Sequence, residues 1–246
     1  MRYLILSDIH ANWEALEAVL ADAQGCYERV VCCGDIVGYG ADPNAAADWV
    51  RANAPVCIRG NHDKAATGTD DLEWFNPAAR EATLWTQSVL RPDTRDWLAG
   101  LPQGPVGADG FLVAHGSPLD EDDYIVTADH AARLFGYIPA PVSFFGHTHL
   151  QGGFRIRTVG AMPIEPPDPW ESERIVYLSV DCANLVNPGS VGQPRDGDPR
   201  AAYALYDTDR MAVQLRRTAY DIAAAQRKIL AAGLPELLAF RLSIGS

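Results

Sequence analysis

Short apolar runs alternate with helical patterns over the first sixty residues of the chain. Buried strands are predicted at three continuous apolar runs, residues 3–7, 29–33 and 55–59. After the first run, Asn12 is a candidate helix N-cap, and apolar residues then recur at helical spacing up to Gly25. Pro43 begins a second predicted helix, which extends to residue 54. This alternation of strand and helix predicts a parallel sheet with right-handed crossovers.

The remaining residues predict shorter elements of both kinds. We expect helices at residues 76–90, around Trp97, and at residues 129–135, 222–232 and 235–240. We expect strands at residues 111–114 and 142–145, and a hairpin of residues 201–206 with 211–217. A further strand pair is predicted for residues 153–159 and 174–180, with the proline-rich residues 160–173 as the loop between them. Because no repeat, low-complexity tract or linker interrupts the chain, we expect a single domain over residues 1–246.

The composition excludes several classes of protein. The 246 residues are 48% hydrophobic, enough for a sizeable core, and the net charge of −12 disfavours a long nucleic-acid partner. No apolar run approaches the roughly 18 residues of a transmembrane helix, and the N-terminal run is too short for a signal peptide, so no membrane partner is expected. Five cysteines, an odd number that includes an adjacent pair, indicate free thiols in a reducing compartment. We therefore expect a cytoplasmic protein.

Side chains with metal-binding atoms follow the predicted strands. Five of the six histidines lie at a predicted strand end, and only His130 has an ordinary setting. Ligands of such sheets bind at the carboxyl ends of the strands, so we expect these side chains to meet. In an extended segment, residues two apart point the same way, which would align each Asp-x-His or His-x-His pair. The candidate metal ligands are Asp8, His10, Asp35, Asn61, His115, His147 and His149.

The ligand types and their number indicate a two-metal site. Mixed nitrogen and oxygen ligands suit borderline divalent ions such as Mn, Fe, Zn, Co or Ni. Seven ligands exceed what one tetrahedral site can use, so two ions that share a carboxylate are expected. Two such ions about 3.5–4 Å apart would lower the pKa of a shared water and hold phosphoryl oxygens.

The residues beside these ligands receive weaker predictions. His62, with a pKa expected near neutral, could protonate a leaving oxygen or bind phosphate, and the sequence leaves both roles open. Asp63 could orient His62 or a metal ligand, and the sequence does not decide between them. The acidic residues 120–123 could form a solvated loop or shape the entrance of the cleft, and the composition favours the solvated loop.

The order of these motifs resembles that of the calcineurin-like metallophosphoesterase superfamily. The motifs are Asp8-x-His10, Gly34-Asp35, Gly60-Asn61-His62-Asp63, the lone His115 and Gly146-His147-x-His149. The turn from Asn187 to Val191 and the C-terminal tail are similar to those of a small prokaryotic, phosphodiesterase-type subgroup. Five motifs in order make this a specific resemblance that extends over nearly the whole chain.

The resemblance implies a fold and a role for each motif residue. The implied fold is an α/β protein, a four-layer α/β/β/α sandwich with two sheets face to face. By position, Asp8, His10, Asp35 and His149 would hold a first metal, and Asp35, Asn61, His115 and His147 a second, with Asp35 bridging. His62 matches the histidine that contacts the substrate phosphate. Many relatives carry an acidic residue and then an arginine after the Gly-Asp motif, whereas this chain has Gly38 and no arginine there, which argues against a protein-phosphatase-like mechanism.

The resemblance also implies a reaction. We expect a dinuclear-metal hydrolase of phosphate esters, with Mn favoured for activity, in which a metal-activated hydroxide attacks phosphorus in line. A phosphodiesterase on a small-molecule or nucleotide substrate is the leading expectation. A dinucleoside polyphosphate hydrolase and a phosphomonoesterase are the enzymatic alternatives. A catalytically silent binding scaffold is the non-enzymatic alternative, and the presence of every motif residue disfavours it.

Overall fold

The first sixty residues fold as their hydrophobic pattern predicts. A computed structural model describes all of residues 1–246. Asn12 caps the first helix by accepting a hydrogen bond from the backbone N–H of Ala15 at 3.2 Å, and Pro43 occupies the first turn of the second helix. The elements are, in order, β1 (Arg2–Leu6), α1 (Trp13–Asp22), β2 (Arg29–Cys32), α2 (Pro43–Asn53) and β3 (Val56–Cys57).

The rest of the chain is helical in the middle and at the end, with strands between. Residues 61–144 form α3 (Asn61–Ala66), α4 (Pro77–Val89), α5 (Pro92–Ala99), β4 (Val106–Ala108), β5 (Phe111–Val113), α6 (Ala128–Arg133), a 3₁₀ turn (Phe135–Tyr137) and β6 (Val142–Phe144). Residues 152–242 form β7 (Gly152–Arg157), β8 (Gly160–Ile164), β9 (Glu173–Tyr177), β10 (Ala183–Asn187), β11 (Ala201–Asp207), β12 (Ala212–Thr218), α7 (Ile222–Ala231) and α8 (Glu236–Leu242).

These strands make two mixed sheets of six strands each. The first sheet has the order β3-β2-β1-β11-β12-β9, and β1, β2 and β3 are parallel, as predicted. The second sheet has the order β4-β5-β6-β10-β7-β8, with β5, β6 and β10 parallel. The predicted hairpin of β11 with β12 is confirmed, and it lies beside β1 in the first sheet.

The main core lies between the two sheets. Tyr3 and Tyr206 of the first sheet pack against Phe111 and Phe144 of the second. The ring centroids of Tyr3 and Phe111 are 5.1 Å apart, and those of Phe111 and Tyr206 are 5.5 Å apart, both in edge-to-face geometry. Such aromatic pairs add about 0.5–1.5 kcal/mol each beyond the burial of their area, so they help to hold the sheets in one register.

Helices cover the outer faces of both sheets. The apolar sides of α1 and α2 pack on the first sheet in one cluster with residues such as Leu4 and Leu6. On the other side, α6 packs on the second sheet against Ile156 and Leu185. The layers therefore run helix, sheet, sheet, helix, and the expected four-layer α/β/β/α sandwich is confirmed.

One predicted strand pair is wrong. Residues 153–159 and 174–180 were expected to pair, but β7 lies in the second sheet and β9 in the first. The partner of β7 is β8, which comes from the segment expected to be a loop. β8 contains Pro163 and is the edge strand of its sheet. Proline lacks an N–H and is tolerated only at such edges, so the same residue that suggested a loop is compatible with this strand.

Other features of the fold were missed or predicted in general terms. The prediction missed β4, which has three residues, and β10, where Asn184 and Asn187 interrupt the apolar pattern although both are fully buried.

All five cysteines are free thiols. None of the helices combines the length and apolarity of a membrane span.

Candidate metal centre

The predicted ligands meet at the edge where the carboxyl ends of strands from both sheets come together. Asp8 and Asp35 follow β1 and β2, and Asn61 opens α3 directly after β3. Of the four histidine ligands, His10 follows β1, and His115, His147 and His149 follow β5 and β6. Apart from Asn61, all of these side chains are buried. His130 lies outside this group and pairs with Asp123 at 3.2 Å.

The donor atoms form two groups that share one carboxylate. Within each group the ligand atoms lie within 4.8 Å of one another; the first group is Asp8, His10, Asp35 and His149, and the second is Asp35, His115 and His147. The Oδ1 atom of Asn61 lies 3.3 Å from Nε2 of His115, which adds a neutral oxygen to the second group. Asp35 is therefore the only side chain that reaches both groups.

Two imidazole lone pairs face each other inside the first group. Nδ1 of His10 lies 3.1 Å from the carbonyl oxygen of Val37, and Nδ1 of His149 lies 2.6 Å from that of Gln193. A carbonyl oxygen only accepts, so each Nδ1 must carry the proton. Burial lowers the pKa of both imidazoles well below the usual range, so neither Nε2 is protonated at neutral pH. Their Nε2 atoms are nonetheless only 3.1 Å apart, which is unfavourable unless a cation lies between them.

Asp8 and His147 have buried polar atoms without a partner in the chain, whereas Asp35 is paired with His115. Burial raises the pKa of Asp8 to about 7, and its Oδ2 atom has no hydrogen-bond partner. Burial opposes protonation of His115, yet the Asp35 carboxylate, 3.4 Å from Nε2, raises the pKa of this histidine to about 10. Nε2 of His147 is also buried without a partner. Unpaired buried charge and orphaned acceptors are costly, so this donor set fits a bound divalent cation.

The ligand loops have strained backbones. Asp8 and Asp35 have a φ of 52°, His10 of 48°, His147 of 65° and His149 of 60°. Each left-handed residue costs about 1–2 kcal/mol, and such strain tends to gather at functional sites. The expectation that extended geometry aligns Asp8 with His10, and His147 with His149, is therefore wrong. The side chains converge because the chain turns sharply after each strand.

His62 lies against the first group but offers no atom to it. Its ring centroid is 4.9 Å from that of His10, 4.4 Å from that of Tyr39 and 5.0 Å from that of Phe75. Burial lowers its pKa to about 4, so the expected near-neutral pKa is wrong. The imidazole is neutral at pH 7, and it can donate one N–H to a ligand.

Asp63, whose role the sequence left open, connects two ligand loops. Its Oδ1 atom accepts from the backbone N–H groups of Ile36 and Val37 at 2.9 and 3.0 Å, and its Oδ2 atom accepts from that of Gly60 at 3.0 Å. The carboxylate is fully buried. It therefore fixes the loop after β2, which carries Asp35, against the start of α3.

The end of β10 and the turn that follows it hold the ligand loops in place through hydrogen bonds. Asn187 donates to the carbonyl of Gly146 at 3.0 Å and to the hydroxyl of Thr148 at 2.9 Å. Ser190 donates to the carbonyl of Asp8 at 2.8 Å. The sequence marked this segment only as a turn. Its polar residues are fully buried in the structure, where they fix the backbones that carry the ligands.

A cleft of about 300 Å³ opens beside His62, Asn61 and His147. Aromatic and acidic side chains line it; they are Tyr39, Trp74, Phe75, Tyr124, Asp70, Asp71 and Asp122. Of the acidic residues 120–123, Asp122 lines the cleft, which agrees with the alternative that this run shapes its entrance and not with the favoured solvated loop. Its neighbour Glu121 is buried and pairs with Arg59 at 2.8 Å.

Comparison with known proteins relates the whole chain to one family. Residues 1–211 match the model of the calcineurin-like phosphoesterase superfamily domain. An uncharacterised protein of Methanocaldococcus jannaschii is 34% identical over 247 residues, which cover 98% of this chain and 97% of that protein. A metallophosphoesterase from Sphaerobacter thermophilus superposes with a TM-score of 0.88 at 40% identity, covering 100% of this chain and 99% of that one. A hypothetical protein from Pyrococcus horikoshii shares the fold, with a TM-score of 0.79, 19% identity and coverage of 100% and 98%.

Gly38 is predicted to be essential for the position of His62. Its φ is +91°, and an added Cβ would lie 2.7 Å from Nδ1 of His62, a ring that its aromatic neighbours enclose. Gly68 is a matched control, because its φ is +80° and a Cβ there would meet nothing within 4 Å. Both alanine variants carry the backbone cost, but Gly38→Ala should lower the free energy of unfolding by about 1–3 kcal/mol more, as in other overpacked sites. Urea denaturation measures the difference, and equal losses in the two variants would contradict this account of His62.

Proposed function

The chain belongs to the calcineurin-like phosphoesterase superfamily, and on that basis we propose that it is a two-metal hydrolase of phosphate esters. Within that class we propose a phosphodiesterase that acts on a small-molecule or nucleotide substrate. The observation that carries the proposal is the position of Asp35, whose carboxylate belongs to both groups of buried donor atoms. One carboxylate shared by two complete groups of donors is what a bridged pair of metal ions requires.

We assign the ligands as two sets. Asp8, His10, Asp35 and His149 would hold one ion, and Asp35, Asn61, His115 and His147 the other. The nitrogen-rich donor set suits Mn, Fe, Zn, Co or Ni, and we propose Mn for activity. When bound, two such ions supply Lewis acidity: they lower the pKa of a water and offset the charge that grows on the phosphoryl oxygens.

The remaining residues of the site would orient the ester. His62, neutral at pH 7, would donate its N–H to a phosphate oxygen, which favours the phosphate-binding role over that of an acid. Its backbone N–H donates to Oδ1 of Asp35 at 2.9 Å, so the backbone that carries the ring is fixed relative to the shared ligand. Asp63 would act as a positioning residue through the loop of Asp35.

The cleft supports an ester with an aromatic group and few charges. Trp74, Phe75 and Tyr124 provide faces on which a nucleobase or aryl group could stack. Asp70, Asp71 and Asp122 would repel additional phosphates. This arrangement favours a diester over a dinucleoside polyphosphate, and over a monoester, which carries a second negative charge.

Metal-dependent turnover is the first test. Metal-stripped protein should regain hydrolysis of bis-p-nitrophenyl phosphate when Mn²⁺ is added, and it should hydrolyse p-nitrophenyl phosphate more slowly. Release of p-nitrophenolate measures both rates. If the protein binds two ions per chain and turns over no ester, the proposal that it is an enzyme is wrong. The catalytically silent binding scaffold then remains as the alternative.

Asp35→Asn should weaken metal binding in both groups. The amide keeps the shape of the carboxylate but removes the charge that both ions would share. We expect the metal content, measured by mass spectrometry after desalting, to fall from about two ions per chain to below about one. Asp209→Asn is the control, because Asp209 is 83% exposed and pairs only with the N-terminus. An unchanged content in Asp35→Asn would show that Asp35 does not bridge.

His62→Ala should lower turnover without removing metal. Loss of one positioned donor to the phosphate should reduce kcat by about 10²–10³. Because a neutral donor does not titrate near pH 7, the pH profile of kcat should keep its shape in the variant. His130→Ala, at the histidine outside the site, should match the wild type. A basic limb of the profile that disappears in His62→Ala would assign the acid role instead.

A further inference from the structure

Arg195 lies beside the metal centre without a carboxylate partner. Its Nη2 atom donates to two neutral acceptors only, the hydroxyl of Tyr39 at 3.3 Å and Oε1 of Gln193 at 3.1 Å. Other arginines of the same region are paired: Arg200 lies 2.6 Å from Asp198, and Arg217 forms an ion pair with Asp196. Exposed arginines such as Arg80 and Arg95 also lack an acidic partner, so what distinguishes Arg195 is its position beside the metal centre.

The guanidinium also has unused hydrogen-bonding capacity. The Nε atom of Arg195 is buried and has no partner. A buried N–H that gives up water without finding an acceptor is destabilising, and more so when the group is charged. This cost is recovered if an anion binds to the guanidinium.

The position of Arg195 connects it to the ligands. Its backbone N–H donates to the carbonyl of His149 at 3.2 Å. Its guanidinium lies 5.7 Å from the centroid of the Tyr39 ring, which in turn lies 4.7 Å from the ring of His10 and 4.4 Å from that of His62. The ring of Tyr39 therefore links the guanidinium of Arg195 to the proposed phosphate donor and to His10 of the first group.

A second cation lies close to Arg195. Burial lowers the pKa of Arg241 in α8, and the nearby charge of Arg195 lowers it further. Like charges held together in this way attract an anion.

We propose that Arg195 binds the non-bridging phosphate oxygens of the substrate. The inference rests on the proposed function, since it assigns a phosphate ester to the same site. Directly after the Gly34-Asp35 motif, where many relatives carry an arginine, this chain has none. Arg195, from the loop after β10, would supply the positive charge that is missing there. A guanidinium matches phosphate geometry with parallel donors and stays charged at any working pH. Its attraction grows as negative charge accumulates on the oxygens in the transition state.

The test compares Arg195→Gln and Arg195→Lys with Arg174→Gln. Arg174 is a matched control, because it is an arginine paired with Asp168 and Glu171 away from the metal centre. For each protein, loaded with Mn²⁺, the readouts are metal content, kcat and KM for bis-p-nitrophenyl phosphate, and the inhibition constant of inorganic phosphate. Thermal unfolding confirms that each variant is folded.

We expect Arg195→Gln to keep its metal and to lose on the order of 100-fold in kcat/KM, with weaker inhibition by phosphate. Arg195→Lys should fall between it and the wild type, because lysine keeps the charge but not the parallel donors. Values within about twofold of the wild type in both variants would overturn the role of Arg195, while the proposal of a hydrolase would remain. If Arg195→Gln does not fold, Arg195→Lys decides by the same readouts.

A failure of the proposed function is recognised separately. In that case the metal-loaded wild type hydrolyses no ester, whatever the state of Arg195. Calorimetry with inorganic phosphate then tests Arg195 directly: weaker binding to Arg195→Gln than to the wild type supports the assignment, and equal binding overturns it.

Discussion

One constraint governs the rest of the structure: unprotonated imidazole nitrogens and carboxylates are buried close to one another. This arrangement is unfavourable by itself. The Nε2 atoms of His10 and His149 are 3.1 Å apart, and backbone carbonyls on the far side of each ring fix both tautomers. Neither ring can relieve the contact by taking a proton, because burial disfavours the charged form. Only a positive charge between the rings makes this arrangement favourable, so the folded chain is organised to receive a cation.

Strained backbone conformations hold these side chains in that arrangement. The ligand loops leave their strands in left-handed conformations and are held there by hydrogen bonds from neighbouring loops, such as His10 N–H to the carbonyl of Asp35 at 3.0 Å. Gly60 and Gly146 allow the loops to approach closely, because a Cβ at either position would collide with Asp35 or Ser7. The aromatic core between the sheets keeps the two strand edges in register. Binding of metal would thus stabilise the folded state as well as provide the chemistry.

Charge is distributed differently in the centre and in the cleft. The buried centre concentrates carboxylates that require cations, whereas Arg195 and Arg241 add positive charge beside it. The cleft outside has Asp70, Asp71 and Asp122 among aromatic rings. An ester that brings one phosphate to the centre and an uncharged aromatic group to the cleft would satisfy both environments. The overall charge of −12 says nothing of this local division, because it sums over the whole surface.

The sequence by itself determined the elements that depend on local pattern and the residues that carry the chemistry. The parallel strands β1 to β3, both long N-terminal helices and the hairpin of β11 with β12 follow from the spacing of apolar residues and from caps such as Asn12. The order of the motifs was sufficient to identify the family and the four-layer fold. Tertiary structure decided what depends on contacts between distant residues. It placed β7 and β9 in different sheets, because an edge strand with a proline has the same local pattern as a loop. The packing of the chain buried His62 and so made it neutral. It gave Asp63 three backbone donors from two loops. It also brought Arg195 next to residues more than 130 positions away in the chain, such as Tyr39. Burial, hydrogen-bond partners and the pKa depend on which residues surround a group, and that is fixed only when the two sheets pack together.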